Sequence, residues 1–178
     1  MKILDPTKIH IRPAGVADAP RLAAMRYQFR SEIASATEPE ELFVARATTW
    51  MASRLAQAAW RAWVAATADD ELVGQIFAQF VEKIPNPVVE AEQLVYLTNV
   101  YVVPSWRNRG IGSRLLRIAL EACRAADVET IILWPSRKSR PLYQRFGFVA
   151  PHTLLERSAS GATPQEHGDA PPKALPRA

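Results

Sequence analysis

The stretch from Leu94 to Trp134 constrains the fold more than any other part of this sequence. Residues 94–103 read L-V-Y-L-T-N-V-Y-V-V, a run of β-branched and aromatic side chains that predicts a strand buried on both faces. An amphipathic helix follows from about Gly110, and residues 130–134 predict a second buried strand. A strand, a helix and a strand in this order predict two parallel strands joined by a crossover helix.

The rest of the chain predicts further strands and helices around this unit. The predicted elements are a strand at 9–12, a helix after Asp18, a helix at 40–59, a hairpin of strands 63–66 and 72–81, and a short helix at 142–146. Together they predict an α/β domain with a mixed sheet. Cys123 lies among the apolar residues of the crossover helix, so we expect a small buried hydrophobe rather than a nucleophile.

Length and composition are those of a globular protein. The chain has 178 residues, 48% hydrophobic and 22% charged, which predicts one domain, placed at residues 1–157. Residues 158–178 have Leu175 as their only large apolar side chain, so we predict a disordered tail. No apolar run approaches the roughly 18 residues that span a bilayer. The first residues lack the apolar segment of a secretion signal, so we expect a cytoplasmic protein with no membrane partner.

Charge is unevenly distributed along the chain. The formal net charge is +4, but residues 32–103 carry −6 and residues 104–157 carry +6. The basic segment favours a phosphate-bearing ligand, and the acidic segment favours a cationic partner. Nucleic-acid binding is the weaker interpretation, because the arginines of the crossover helix share their face with Glu121 and no nucleic-acid-binding motif accompanies them. No histidines or cysteines stand at ligand spacing, so we predict no metal.

The turn before the crossover helix carries the pattern Arg107-x-x-Gly110-x-Gly112. Glycines at a helix start let the backbone approach a ligand closely, and the first N–H groups point outward at the positive end of the helix dipole. The alternative is that these glycines only shape a turn. The preceding strand, the following helix and the arginine at a fixed offset favour a pyrophosphate site instead. The patterns of a P-loop and of a dinucleotide-binding Rossmann turn are both absent.

This strand, turn and helix resemble motif A of the GNAT N-acetyltransferases, in which Arg/Gln-x-x-Gly-x-Gly/Ala follows a strand ending in Val-x-Pro. Residues 136–148, S-R-K-S-R-P-L-Y-Q-R-F-G-F, look like motif B of that family, and residues 9–18 resemble its first strand and helix. The resemblance covers about residues 8–157. It implies a GNAT-like acyl-CoA N-acyltransferase fold, with a mostly antiparallel central sheet, a splayed parallel strand pair at its middle, and helices on both faces.

The resemblance implies that acetyl-CoA is the cosubstrate and that an amine is acetylated. In the family, the pantetheine arm pairs with the backbone of the splayed strand and the turn amides hold the pyrophosphate. A backbone N–H near Val102 would then stabilise the oxyanion, and Tyr143 matches the tyrosine that protonates, or hydrogen-bonds to, the departing thiolate. The residues that the resemblance assigns to acetyl-CoA in these first segments are Val100, Tyr101, Val102, Arg107, Asn108, Arg109, Gly110, Ile111, Gly112 and Ser113.

Motif B departs from the family pattern at its first position. Ser136 stands where the family commonly has Asn, which implies a weaker or replaced contact to the CoA arm. Arg140, with Arg137 and Lys138, is expected near the 3′-phosphate, although an exposed basic loop is an equally simple interpretation. The core-aromatic alternative for Tyr143 also stays open.

The acceptor side is less defined by the sequence. The segment from Phe29 to Phe43 and the hairpin are expected to shape the acceptor pocket, and the candidate contacts are Phe29, Glu32, Asn99 and Trp134. Thr98 and Asn99 stand where many relatives have a catalytic carboxylate, so the base is a relayed water or a carboxylate such as Glu32, Glu82 or Glu92. The expected partner is a small-molecule or peptide amine, cationic by the charge distribution, and a homodimer is left open. A CoA-binding sensor without turnover is the alternative function.

Overall fold

The computed structural model describes residues 9–57, 59–150, 154, 155 and 157. The predicted tail at 158–178 lies outside the described residues. The elements in chain order are β1 His10–Pro13, α1 Ala19–Ser31, α2 Glu40–Leu55, β2 Trp60–Ala66, β3 Leu72–Glu82, β4 Gln93–Val102, α3 Ile111–Ala125, β5 Thr130–Ile132 and α4 Arg140–Arg145, with short 3₁₀ turns at Val16–Asp18 and Pro104–Trp106. The chain divides into two compact units, the first ending at Leu133 and the second beginning at Trp134.

The five strands form one mixed sheet in the order β1-β2-β3-β4-β5. The first four strands pair antiparallel, and β4 pairs with β5 in parallel. The predicted parallel pair with its crossover helix α3 is therefore confirmed. Its expected place at the middle of the sheet is wrong for the described strands, because β5 is the last strand in the order and leaves the pair at one end.

Helices cover both faces of the sheet in the first unit. Leu22 and Met25 of α1 and Met51 of α2 join a buried cluster with Val64 of β2. On the neighbouring strand, a Cβ added to Gly74 would lie 3.2 Å from Leu115 Cδ1 of α3. Val64 pairs in register with Gln75, the residue after Gly74. Successive strand residues point to opposite faces, so α1 and α2 lie on one face and α3 on the other, as predicted.

The strands at the β5 end are less buried than the sequence predicts. On β4 only Val95, Leu97 and Tyr101 are buried, and Thr130–Ile132 of β5 is exposed or half-buried. β5 pairs with three residues of β4, so much of β4 has a strand on one side alone among the described residues. The β-branched composition correctly indicates a strand but does not report this lack of a neighbour.

A bulge in β4 changes which side chains face α1. Thr98 pairs with Phe77 and Tyr101 with Gln75, so one residue of β3 stands opposite two residues of β4. Asn99 sits in this bulge with φ of 55°, in the left-handed region. Phe77 and Gln75 are two residues apart and share a face, so Tyr101 faces α1 only because of the extra residue.

Helix α3 fixes the other face with a continuous apolar stripe. Its fully or nearly fully buried residues are Ile111, Leu115, Leu116, Ala119 and Cys123. Burial raises the pKa of the Cys123 thiol to about 11, so the group stays protonated at neutral pH. The predicted burial of Cys123 is confirmed. In the described part of the chain, no helix is long and apolar enough to cross a membrane.

Gly74 tests the close approach of α3 to the sheet. We expect Gly74→Ala to lower the free energy of unfolding by about 1–3 kcal/mol, because the new Cβ would lie 3.2 Å from the carbonyl oxygen of Tyr101 and from Leu115. Gly15→Ala is the matched control, since its Cβ would meet nothing within 4 Å, and we expect a change of at most about 1 kcal/mol. Urea unfolding measures both. Equal free energies for the two variants would contradict the tight contact.

Candidate functional site

The end of β4 offers an open backbone edge. Pairing with β5 consists of Leu94–Thr130, Val95–Ile131 and Tyr96–Ile132, and β4 then continues to Val102. No described strand pairs with this last part of β4 on the β5 side. An unpaired strand edge of this kind can hydrogen-bond another extended chain, which is what a pantetheine arm requires. The predicted residues Val100, Tyr101 and Val102 lie here.

The turn after β4 opens α3 with unpartnered N–H groups. Asn108 and Gly110 have φ of 61° and 74°, and Gly110 is the N-cap. The first helical bond runs from the Arg114 N–H to the Gly110 carbonyl, at 3.0 Å. The N–H groups of residues 111–113 precede it and have no acceptor within the helix, and no described side chain caps this end. A pyrophosphate fits such an uncapped helix start.

Glycine is required at position 110 because of its backbone conformation and not because of crowding by neighbouring atoms. A Cβ at this position would meet nothing within 4 Å, but φ of 74° lies in the region that side chains rarely adopt. The sequence pattern thus identifies a real backbone constraint at the first glycine of the motif.

The two arginines of the motif do not extend freely from the turn. The Nε of Arg107 donates to the Val102 carbonyl at 2.8 Å, and its Nη2 donates to Glu32 Oε1 and Oε2 at 2.8 and 2.7 Å. The Nη2 of Arg109 donates to the Ser105 carbonyl at 3.2 Å. The charge of Arg107 is therefore paired within the protein.

Arg107 belongs to a four-residue cluster that we call the α1 clasp, composed of Phe29, Glu32, Tyr101 and Arg107. The Tyr101 hydroxyl donates to Glu32 Oε1 at 2.8 Å, and the Tyr101 and Phe29 rings lie 5.4 Å apart. Two predicted acceptor residues therefore meet two predicted cofactor residues. The contact requires the bulge, which turns Tyr101 toward α1.

The environment of Tyr101 keeps its hydroxyl protonated. Burial, together with the neighbouring Glu32 carboxylate, raises the pKa of this hydroxyl to about 12, while Arg107 acts in the opposite direction. Tyr101 is therefore a hydrogen-bond donor at neutral pH. It cannot serve as a base there.

Of the three candidate bases, one lies near the Val102 end of β4 and two lie at its other end. Glu82 pairs with Gln93 at the opposite end of β4 from Val102, and Glu92 directly precedes that end. At about 3.3 Å per residue, the separation from Val102 is roughly 30 Å. Only Glu32 lies near the end of β4, and both of its oxygens already accept from Arg107.

Two residues of this region were not singled out by the sequence. Arg26 of α1 donates from Nη1 to Asn99 Oδ1 at 3.3 Å, and burial lowers its pKa to about 10. Gln75 has no exposed surface, and neither of its amide atoms has a hydrogen-bond partner among the described residues. The available signals were an amide within the apolar run of β3 and three arginines without any acidic residue in α1.

The second unit carries the remaining predicted residues. The Ser136 and Ser139 hydroxyls lie 3.0 Å apart in the turn before α4, and the Ser139 N–H donates to Ser136 Oγ at 3.2 Å. Arg140 is the first residue of α4. Tyr143 is buried and packs edge-on against Phe148, with ring centroids 5.8 Å apart. Trp134 is 42% exposed, so it is not a core residue.

Among the described residues, no group of three or more His, Cys, Asp and Glu side chains is arranged to hold a metal ion. In the first unit, the candidate site consists of the open backbone edge of β4, the start of α3 and the α1 clasp.

The family model for GNAT acetyltransferases matches residues 25–148. The chain therefore belongs to the GNAT acetyltransferase family, which acts with acetyl-CoA, and the match supports an acyltransferase enzyme. The family resemblance and the fold class inferred from motifs A and B are confirmed.

Individual relatives agree with this assignment. A protein of Mycobacterium tuberculosis named Probable N-acetyltransferase is 26% identical over 154 residues, covering 82% of each chain. A predicted acetyltransferase of Clostridium acetobutylicum, solved with acetyl-CoA, has a TM-score of 0.71 at 21% identity, covering 84% of this chain and 96% of its own. A GCN5-related N-acetyltransferase of Ralstonia eutropha has a TM-score of 0.66 at 25% identity, with 86% and 99% covered.

Tyr101 gives this site a measurable dependence on pH. An unfolded tyrosine loses its proton near pH 10, whereas folded Tyr101 keeps it to about 12. The native state then binds the extra proton, so rising pH favours unfolding, and we expect Tyr101 to remove about 1–2 kcal/mol of stability between pH 10 and 12. In Tyr101→Phe, the free energy of unfolding measured in urea should fall less steeply with pH over this interval.

Tyr27→Phe is the matched control, because it removes another phenol of this region while keeping Tyr101. The free energy of unfolding of this variant should fall with pH as steeply as that of the wild type. A Tyr101→Phe decline as steep as that of the wild type would show that Tyr101 does not bind the extra proton.

Proposed function

We propose that this protein transfers the acetyl group of acetyl-CoA to a primary amine of a small molecule or peptide by direct attack. The observation that carries the proposal is the uncapped start of α3 after Gly110, next to the open end of β4. This pairing of an anion site with a free strand edge suits a ligand that has a pyrophosphate followed by an amide-containing arm.

Backbone groups supply most of the proposed acetyl-CoA contacts. The amides of residues 108–113 hold the pyrophosphate, and the edge of residues 100–102 pairs with the pantetheine arm. Ser136 makes a weaker contact to the CoA arm than the family's Asn, and Arg140, with Arg137 and Lys138, contacts the 3′-phosphate. The resemblance to motifs A and B supports these assignments, and the paired state of Arg107 supports a pyrophosphate site built mainly from amides.

In the proposed reaction, the neutral amine attacks the thioester carbon. A nitrogen–carbon bond forms, the carbonyl oxygen becomes an oxyanion held by a backbone N–H near Val102, and the carbon–sulfur bond then breaks. Tyr143 donates a proton to the leaving thiolate, and the amine proton leaves through water or Glu32. Glu32 is the nearest of the candidate carboxylates to the end of β4, but it is held by Arg107 and Tyr101.

A sensor that binds acetyl-CoA without turnover is the alternative, and it is favoured by the lack of a free carboxylate in the α1 clasp. Release of CoA thiol across a panel of amines, peptides and aminoglycosides, together with a thermal shift by acetyl-CoA, separates the two functions. Turnover supports the enzyme. A stabilising shift without turnover on any acceptor supports the sensor, and salt-dependent DNA retention with no acetyl-CoA effect would support a nucleic-acid binder.

Tyr143→Phe tests the proton donor. The variant keeps the ring that packs on Phe148 but removes the hydroxyl, so we expect kcat to fall about 100-fold while the acetyl-CoA thermal shift is retained. Steady-state CoA release with the best acceptor of the panel gives kcat. An unchanged kcat would remove Tyr143 from the mechanism.

Gly112→Leu tests the pyrophosphate site. A large side chain in the first turn of α3 should obstruct the approach of the phosphates and abolish the thermal shift by acetyl-CoA. Arg117→Leu is the matched control, since Arg117 is exposed on the same helix, beyond its first turn. A shift retained in Gly112→Leu, with a protein as stable as the control, would count against phosphate binding at this turn.

A further inference from the structure

Arg26 is a half-buried arginine without a carboxylate partner. Its one described hydrogen bond goes to the neutral Asn99 Oδ1 at 3.3 Å, and its guanidinium carbon lies 5.7 Å from the centre of the Phe29 ring. Helix α1 contains no acidic residue, and no described carboxylate lies within ion-pair distance of Arg26. A guanidinium has five N–H donors, so most of those on Arg26 are unused.

Three other arginines near the sheet have a partner for their charge or their donors. Arg107 is paired with Glu32, Arg12 with Asp18, and Arg21 donates twice to the Leu72 carbonyl. Arg26 is instead followed one helical turn later by Arg30, and this second positive charge further disfavours its own. Partial burial of an unpaired charge costs stability, so a fold that keeps one gains something from it elsewhere.

The position of Arg26 links it to the open part of the sheet. Its partner Asn99 forms the β4 bulge, three residues after Tyr96, where pairing with β5 ends. Tyr96 is also close enough to influence the charge of Arg26. The free donors of Arg26 therefore lie at the place where β4 separates from its parallel neighbour.

A second polar group on the same face also lacks a partner. Gln75 is opposite Tyr101 in register, faces α1 and α2, and is fully buried with both amide atoms unpartnered among the described residues. The Tyr101 and Phe29 rings pack at a tilt, and Arg26 lies over the Phe29 ring. Native structures rarely leave such polar groups unpaired, so a polar ligand would find partners in this region.

We propose that the acceptor amine carries a carboxylate, as an amino acid does, and that Arg26 binds this carboxylate. The inference rests on the proposed acetyl transfer and names its substrate class. A guanidinium matches a carboxylate in charge and planar geometry. A −1 carboxylate also balances one half-buried +1 group without leaving excess charge.

The charge of residues 32–103 does not argue for a purely cationic acceptor. Glu32 is paired with Arg107 and Asp70 with Arg12, and both arginines lie outside this segment. These two carboxylates therefore already have cationic partners, whereas Arg26, next to β4, has no carboxylate partner among the described residues.

The test compares acceptors that differ in one group. CoA release is measured with free amino acids and short peptides, with the carboxamide of each, and with phosphoethanolamine and spermidine. We expect kcat/KM to be at least about tenfold higher for carboxylates than for the matched carboxamides, as removal of a charge-assisted hydrogen bond predicts. Arg26→Gln should abolish this difference, and Arg26→Lys should keep part of it.

Arg117→Gln is the matched control, because it removes the same charge from an exposed position on the opposite face of the sheet. It should leave the carboxylate preference unchanged. Arg26→Gln should keep the acetyl-CoA thermal shift, which separates loss of carboxylate binding from misfolding.

Binding without turnover provides a second readout. With CoA present, calorimetry should detect N-acetyl amino acids but not their carboxamides in the wild type, and neither in Arg26→Gln. Turnover of spermidine or carboxamides at least equal to that of carboxylates would overturn the inference while leaving acetyl transfer intact. Preference for phosphoethanolamine over the amino acids would also overturn it. Absence of both acetyl-CoA binding and all turnover would overturn the proposed function itself.

Discussion

The bulge at Asn99 is the constraint on which the rest of the site depends. One additional residue in β4 reverses the faces of everything that follows it, so Tyr101 points to α1 while Val102 points to α3. Without that reversal the Tyr101 hydroxyl could not reach Glu32, and the α1 clasp would lose its connection to the sheet. Asn99 also accepts the hydrogen bond from Arg26. This one residue in the left-handed region therefore affects both the position of Tyr101 and the position of the Arg26 guanidinium.

Much of the fold follows from local patterns in the sequence, but the bulge does not. Residues 94–103 read as one continuous strand, and nothing in their hydrophobicity marks the insertion. Asn is among the few residues that tolerate a left-handed conformation, which was the only available signal at position 99. The degree of burial of β4 could not be predicted from the sequence either, because it depends on how many residues of β4 pair with β5.

The same distinction holds for the candidate site. The glycine spacing predicts the helix start correctly, because backbone geometry at Gly110 is a local property. The partner of Arg107 is not local: Glu32 is 75 residues away in the sequence, and only folding brings the two charges together. The sequence pattern predicts that Arg107 lies near a phosphate, and the structure adds that its side chain connects α1 with the end of β4. No sequence motif marks Arg26. The residue stands out only in the structure, where no described carboxylate pairs with it.

The burial of Cys123 has a practical consequence for work on this protein. It is the only cysteine of the chain, it is fully buried, and its thiol has a pKa of about 11. Reagents that report thiols react with the accessible thiolate, which the folded protein hardly offers at neutral pH. When such a reagent is used to follow acetyl transfer, its signal therefore comes from the released CoA thiol rather than from the protein. Slow labelling of Cys123 itself would measure how often α3 separates from the sheet.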